Sequence, residues 1–117
     1  ITIPDSVRYI GEHVFSKCIG LTGMTIPNSV ITISNSLFYG CSRLIDITIP
    51  DSVTSIGRGA FSGCSSLIEI TIPNNVAGIG NEAFKGCDSL KRISLPRRIP
   101  IEYLGIPEKC AIRRRLF

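Results

Sequence analysis

The sequence predicts a repeat solenoid, mainly β, in which short parallel strands stack on one another with a 23-residue period. The period is visible in three residue types. Prolines recur at this spacing at Pro4, Pro27, Pro50, Pro73 and Pro96. Cysteines recur at Cys18, Cys41, Cys64, Cys87 and Cys110, and phenylalanines at Phe15, Phe38, Phe61 and Phe84. Such self-similarity indicates that one supersecondary unit is reused along the chain.

Each repeat contains two short extended segments and a loop. In residues 47–49 (Ile-Thr-Ile), alternation places both isoleucines on one face, which is typical of a half-buried strand. Residues 50–52 (Pro-Asp-Ser) predict a turn, because proline presets its backbone angle and an Asp side chain bonds nearby backbone. Residues 53–56 form the second extended segment. Residues 60–64 (Ala-Phe-Ser-Gly-Cys) predict a helical or 3₁₀ turn that is too short for a standing helix.

The repeats depend on one another for stability. One repeat has too few apolar side chains to offset the entropy lost when its whole backbone becomes ordered. Stacking at about 4.8 Å gives each strand a hydrogen-bonding neighbour. We expect residues 1–96 to hold four repeats and the start of a fifth strand. Residues 97–117 form a degenerate closing repeat or C-terminal cap, in which only Ile99 and Cys110 keep the spacing.

Charge and hydropathy exclude several classes of function. Residues 1–96 are electrically balanced, and the net charge of +4 comes from residues 97–117. A neutral body with a short basic tail lacks the broad positive face that nucleic-acid binding requires. We expect the run from Arg113 to Arg115 to be a solvated cap, with docking on an acidic partner or a membrane as the alternative. No stretch is apolar enough to span a membrane. The absence of an initiator Met favours a fragment or a processed product.

The residues that could carry chemistry favour no enzyme. Equal spacing places the cysteines in one column, where parallel side chains disfavour disulfides and do not converge on a zinc ion. We expect buried free thiols and neither a metal nor a cofactor. His13, the single histidine, has no group that evidently orients it towards a nucleophile. We expect Asp46 and Glu69 to lie about 5 Å apart, a separation that retaining glycosidases use, but nothing encloses them, and Arg92 is expected to pair with Glu69.

The repeat written out from Leu44 to Ser66 resembles the BspA-like, or Treponema pallidum-type, leucine-rich repeats. The resemblance rests on the Leu-x-x-Ile-x-Ile-Pro strand, Val-x-x-Ile-Gly and Ala-Phe-x-Gly-Cys, over residues 1–96. Departures are local, as at Val14 in place of Ala and Lys17 in place of Gly. The resemblance implies a leucine-rich-repeat right-handed superhelix. It also implies a surface-exposed or secreted protein that adheres to host matrix or cell-surface proteins.

The outward strand face is the candidate binding surface. Asp46, Glu69 and Arg92 form one column of side chains, Thr48, Thr71 and Ser94 form the next, and the apolar Ile45 and Ile68 lie beside them. An apolar pair flanked by charges and hydroxyls is typical of a modest protein interface, although scattered surface apolar residues are also ordinary. We therefore predict a non-catalytic protein-binding module, with a structural spacer that has no ligand as the alternative. A bare strand edge at residues 1–3 allows end-to-end self-association.

Overall fold

The computed structural model describes residues 2–116 and shows stacked coils of parallel strands. Its eight strands are short. They are β1 (Gly23–Thr25), β2 (Thr32–Ile33), β3 (Asp46–Thr48), β4 (Ser55–Ile56), β5 (Glu69–Thr71), β6 (Gly78–Ile79), β7 (Arg92–Pro96) and β8 (Ala111–Arg115). The strands form two columns along the stack: β1, β3, β5, β7 and β8 lie in the first column, and β2, β4 and β6 lie in the second. The expected solenoid is therefore confirmed.

The strands pair in parallel with the register that the 23-residue period predicts. In the first column β1 pairs with β3 through Met24 and Ile47, and β5 pairs with β7 through Ile70 and Ile93. In the second column β2, β4 and β6 form one continuous ladder. Of the expected bare edge at residues 1–3, Ile1 lies outside the described residues, and Thr2 and Ile3 are not in a strand.

The loop of each repeat is a series of turns, and the expected helical or 3₁₀ turn is wrong for residues 2–116. Alternate amides in the loop close turns on carbonyls three residues back, as Ala60, Ser62 and Cys64 do at 3.0–3.3 Å. The intervening amides donate to the next repeat instead, as in Phe61 N to Ala83 O at 2.9 Å. A helix would keep every amide inside its own segment.

Backbone angles explain why the loop does not continue as a helix. The residues at two loop positions per repeat have positive φ, for example 63° at Gly59 and 79° at Gly63. This left-handed conformation interrupts a right-handed helix and is costly for residues with a Cβ. His13 and Lys17 nevertheless adopt it, with φ of 63° and 58°, because the stacked loops fix the backbone path.

The core lies between the two strand columns and the loops. Its inward side chains form ladders that run along the stack, and the buried members include Leu44, Leu67 and Leu90. The four phenyl rings from Phe15 to Phe84 stack with centroids 5.6–5.7 Å apart and interplanar angles of 4–8°. This spacing is the favourable offset-stacked arrangement.

The last repeat is four residues shorter than the others. Strand β8 pairs with β7 so that Ala111 lies opposite Arg92, which falls four positions short of the 23-residue period. Ile99 keeps the expected place, since its amide bonds Pro96 O as the amide of Val76 bonds Pro73 O. The expectation that Cys110 stays in register is wrong, because residues 100–110 take a shorter path.

Arginine side chains close this end of the stack. Arg114 donates to the carbonyls of Arg97 and Ile99, both at 2.7 Å. One repeat earlier, Arg98 donates to the equivalent carbonyls of Asn74 and Val76 at 2.6 and 2.8 Å. The basic tail is therefore not simply a solvated charge run, because part of it satisfies turn carbonyls that lack backbone partners.

Candidate binding face on the first strand column

The outward face of the first strand column carries all of the candidate binding residues. Strand alternation turns Ile47, Ile70 and Ile93 into the core and leaves their neighbours outside. The structure thus brings the candidates onto one surface along β3, β5 and β7. They are Ile45, Asp46, Thr48, Ile68, Glu69, Thr71, Arg92 and Ser94, of which all but the partly buried Ser94 are exposed.

Two shallow grooves lie on this face. The first, of about 510 Å³, runs along β1 and β3 and includes Asp46 and Thr48. The second, of about 310 Å³, runs along β5, β7 and β8 and includes Glu69, Arg92 and Arg113. Both are open to solvent, so the surface suits an extended partner better than a small enclosed ligand.

Sequence reasoning missed the contribution of β8 to the second groove. Ile112 and Arg113 line this groove because Arg113 lies opposite Ser94 in the parallel ladder. The 23-residue period places Arg113 one repeat beyond Leu90 in the core column and so conceals its outward position. Its position follows from the parallel register, in which Ile112 lies opposite the buried Ile93 and Arg113 lies opposite Ser94.

The sheet of the first column is divided at its centre. Within the described strands, ladder pairs link β1 to β3 and β5 to β7 and β8, but none links β3 to β5. One backbone hydrogen bond crosses the junction, from Ile68 N to Ile45 O at 3.3 Å. Asp46 and Glu69 occupy equivalent positions on the two sides, and facing like charges disfavour close strand pairing.

The charges of the face are only partly compensated. Arg92 Nε lies 3.1 Å from Glu69 Oε2, which confirms the expected pair, and the two side chains are 59% and 64% exposed. A pair this exposed contributes little to stability. Asp46 has no cation within 4 Å among residues 2–116, and its Oδ1 lies 2.8 Å from where a side chain on Gly23 would begin. Asp46 therefore presents an unneutralised carboxylate over the first groove.

Apolar side chains accompany these charges. Ile45 is 49% exposed and Ile68 is 37% exposed, at equivalent positions just before β3 and β5. Their backbones are joined by the hydrogen bond that crosses the junction. The two isoleucines are thus adjacent on the surface, each next to the carboxylate residue that follows it, Asp46 or Glu69.

The cysteines form a buried thiol ladder with a structural role. Cys41, Cys64 and Cys87 donate to the carbonyl oxygens of Phe15, Phe38 and Phe61 at 3.0–3.2 Å, each bond crossing to the preceding repeat. Burial raises the pKa of the Cys64 thiol and raises that of Cys87 to about 12. All five thiols are free, and Cys110 leaves the ladder to donate to its neighbour Ala111 at 3.5 Å. Protonated thiols of this kind are poor nucleophiles and metal ligands.

The other chemical candidates are not assembled into a site. His13 is exposed, and its amide bonds the carbonyl of Asn35 at 3.3 Å. Across residues 2–116, no three His, Cys, Asp or Glu side chains form a group that could hold a metal ion. The same residues contain no helix long and apolar enough to cross a membrane.

Comparison with known proteins identifies the class of this solenoid. A model described as "BspA type Leucine rich repeat region (6 copies)" matches residues 1–105. The chain therefore belongs to the BspA-type leucine-rich repeat family, whose members are generally protein-interaction or surface modules. No curated protein matches the sequence significantly.

Solved structures of bacterial leucine-rich repeat proteins share the fold. A leucine rich cell surface protein from Faecalibacterium prausnitzii is 30% identical with a TM-score of 0.84, over 96% of this chain and 30% of that one. The leucine-rich repeat protein of T. pallidum is 28% identical with a TM-score of 0.73, over 92% of this chain and 45% of that one. A protein from Bacteroides ovatus is 27% identical with a TM-score of 0.65, over 87% and 32%. The chain thus spans less than half the length of these relatives.

Proposed function

We propose that this protein is a non-catalytic protein-binding module and that the outward face of β3, β5 and β7 is its contact surface. The ligand is a matrix or cell-surface protein of a host or neighbouring cell, and the module acts at the cell surface or after secretion. The resemblance of the chain to a leucine rich cell surface protein supports that location.

The exposed apolar pair of Ile45 and Ile68 is the observation that carries this proposal. The fold buries Ile47 and Ile70 in β3 and β5 but leaves Ile45 and Ile68, just before these strands, in solvent next to Asp46 and Glu69. Apolar contact area surrounded by charges is the usual composition of a protein interface. An interface of this kind depends most on a few apolar anchors near its centre.

The absence of an enclosed cleft on this face argues against a catalytic role. The two grooves are open along the strands, and catalysis generally requires a site that excludes water around preorganised groups. Asp46 and Glu69 are both exposed, and the guanidinium of Arg92 already pairs with Glu69. Both carboxylates are therefore open to water.

The test replaces the centre of the face and compares binding. Ile45, Asp46, Ile68 and Glu69 are changed together to Lys, Asn, Lys and Gln, and binding to immobilised matrix proteins and to cells is measured. Ile31→Lys is the matched control, because Ile31 is 51% exposed beside the second strand column. Loss of binding by the fourfold variant but not by Ile31→Lys, with unchanged circular dichroism, is the expected result.

The alternative function is a structural spacer, favoured by the regular stacking of the repeats in one direction. A spacer would hold other domains away from a surface without a ligand of its own. Equal binding by the wild-type protein and the fourfold variant, or no binding by either, would support the spacer. Hydrolysis of glycosides by the wild-type protein and not by the variant would instead restore a catalytic role for the carboxylate pair.

A further inference from the structure

The binding face is electrically polarised along the solenoid axis. The groove of β1 and β3 contains the carboxylates of Asp5 and Asp46 and no Lys or Arg. The groove of β5, β7 and β8 contains one carboxylate, Glu69, and two guanidinium groups, those of Arg92 and Arg113. Since Glu69 and Arg92 neutralise each other at 3.1 Å, the charge that remains in the second groove is that of Arg113.

We infer that the partner contacts this face through an extended peptide segment that carries a basic residue over Asp46 and an acidic residue over Arg113. This inference rests on the proposed function, since it assigns the ligand chemistry of the same face. Complementary charges at the two ends select the partner and fix its direction on the surface. A uniformly basic or uniformly acidic segment meets a like charge at one end.

The register sets the spacing of the two charges in the partner. Arg113 is three repeats from Asp46 along the stack, about 14 Å, and two residues further along the strand direction, about 7 Å. The diagonal is therefore about 16 Å. In an extended peptide, residues separated by an even number share a face, and four residues span about 13 Å. Long Lys or Arg side chains cover the remaining distance, so a separation of four fits this surface.

The uncharged part of the face accommodates the middle of such a segment. Thr48 and Thr71 are exposed along the path and offer hydroxyl groups to peptide backbone. The ion pair of Glu69 and Arg92 lies alongside and is exposed, so it has little tendency to repel either end. The open shape of both grooves admits a chain that crosses the strands instead of one that ends in a pocket.

The experiment uses the peptide acetyl-Ser-Lys-Thr-Val-Thr-Asp-Ser-amide and follows amide resonances of the whole protein during titration. We expect this peptide to bind about tenfold more tightly than its Gln and Asn counterpart, since two exposed charge pairs each contribute about three- to fivefold. A peptide with one extra Thr, which moves the charges to opposite faces, should lose most of this gain. Resonances of β3 and β8 should shift most.

Single substitutions assign each peptide charge to its partner. Asp46→Asn should weaken binding of the charged peptide about three- to fivefold and should not change binding of the peptide whose Lys is replaced by Gln. Arg113→Gln should show the same dependence on the peptide Asp. Asp88→Asn and Arg58→Gln, matched charge changes at exposed positions outside both strand-face grooves, should change nothing.

The outcomes separate this inference from the proposed function. If charged and neutral peptides bind this face equally well, the inference is overturned while the fourfold variant still tests the face itself. If the peptide shifts resonances of the loops and not of β3 and β8, the assignment of its ligand to the strand face is wrong. A third outcome is that the fourfold variant loses binding to intact matrix protein, whereas Asp46→Asn and Arg113→Gln bind normally. The face would then bind through its isoleucines alone, which overturns the inference but not the proposed function.

Discussion

The closeness of successive repeats makes two neighbouring glycines respond in opposite ways to alanine. A Cβ on Gly80 would lie 2.6 Å from Arg58 Cα and 2.7 Å from the carbonyl carbon of Gly57. Both atoms belong to the backbone of the preceding repeat and cannot rotate away. A Cβ on Gly78, two residues earlier, would meet nothing within 4 Å. Gly80→Ala should therefore destabilise the protein, and Gly78→Ala should not.

The geometry gives the size of the difference. Carbon atoms in contact lie about 3.5–4.0 Å apart, so Gly80→Ala requires the two repeats to separate locally by about 1 Å. Overpacking of this kind costs about 1–3 kcal/mol. The displacement also weakens the hydrogen bond from Gly80 N to Ile56 O, which is 2.8 Å long. Its weakening adds about 1 kcal/mol to the loss of stability. We expect a loss of about 2–4 kcal/mol for Gly80→Ala and a change within about 0.5 kcal/mol for Gly78→Ala.

Urea denaturation followed by circular dichroism measures both variants. Gly80→Ala should lower the denaturation midpoint clearly, whereas Gly78→Ala should leave it in place or raise it, because alanine lowers the entropy of the unfolded chain. Gly78 is exposed and Gly80 is partly buried, and neither lies in the core, so the contrast reports the close backbone of the preceding repeat and not a loss of core packing. Equal shifts for the two variants would refute the close backbone approach between repeats.

The thiol ladder, the arginine cap and the phenyl stack each give a further prediction. Because burial raises the folded-state pKa of Cys87 from 9.0 to about 12, the contribution of this thiol to stability should be constant below about pH 9 and should fall above it as the thiol of the unfolded chain ionises. Each such thiol lowers the free energy of unfolding by about 1.4 kcal/mol per pH unit in this range. Urea melts of Cys87→Ala at alkaline pH should therefore show a smaller loss of stability per pH unit, and an unchanged loss would contradict the prediction. Arg114→Ala should cost about 1 kcal/mol by removing two carbonyl bonds, while Arg113→Ala, which lacks them, should be neutral in the same melts. Phe61→Leu should cost about twice as much as Phe15→Leu, because Phe61 stacks on two rings and Phe15 on one, and equal losses would count against pairwise stacking.

The period alone was sufficient to predict the ladders of the first four repeats. Identical spacing of Phe15, Phe38, Phe61 and Phe84 requires equivalent environments, and the structure supplies them as a ring stack. The column that contains Glu69 and Arg92 follows from the same period combined with strand alternation. Local sequence and long-range packing agree at these positions, so either one predicts the other.

Two features could not be predicted because they depend on how neighbouring repeats contact each other. The loop from Gly59 to Cys64 resembles a short helix in sequence, but its alternate amides donate to the next repeat, which a single repeat cannot reveal. The spacing of Cys110 matches the period, yet it is coincidental, since the shortened closing repeat pairs Ala111 with Arg92. The same shortened repeat concealed the outward position of Arg113, and with it the basic end of the proposed binding face.

The most direct test of the stacked repeats is a map of interstrand proton contacts by nuclear Overhauser spectroscopy. Parallel strands in register place the amide protons and α-protons of facing residues close together. The structure predicts contacts that follow the 23-residue period along the stack, as between Met24 and Ile47, and then the shortened step from Ile93 to Ile112. Contacts from Ile93 to a residue one full period later, or none between Met24 and Ile47, would contradict the register on which the proposed binding face depends.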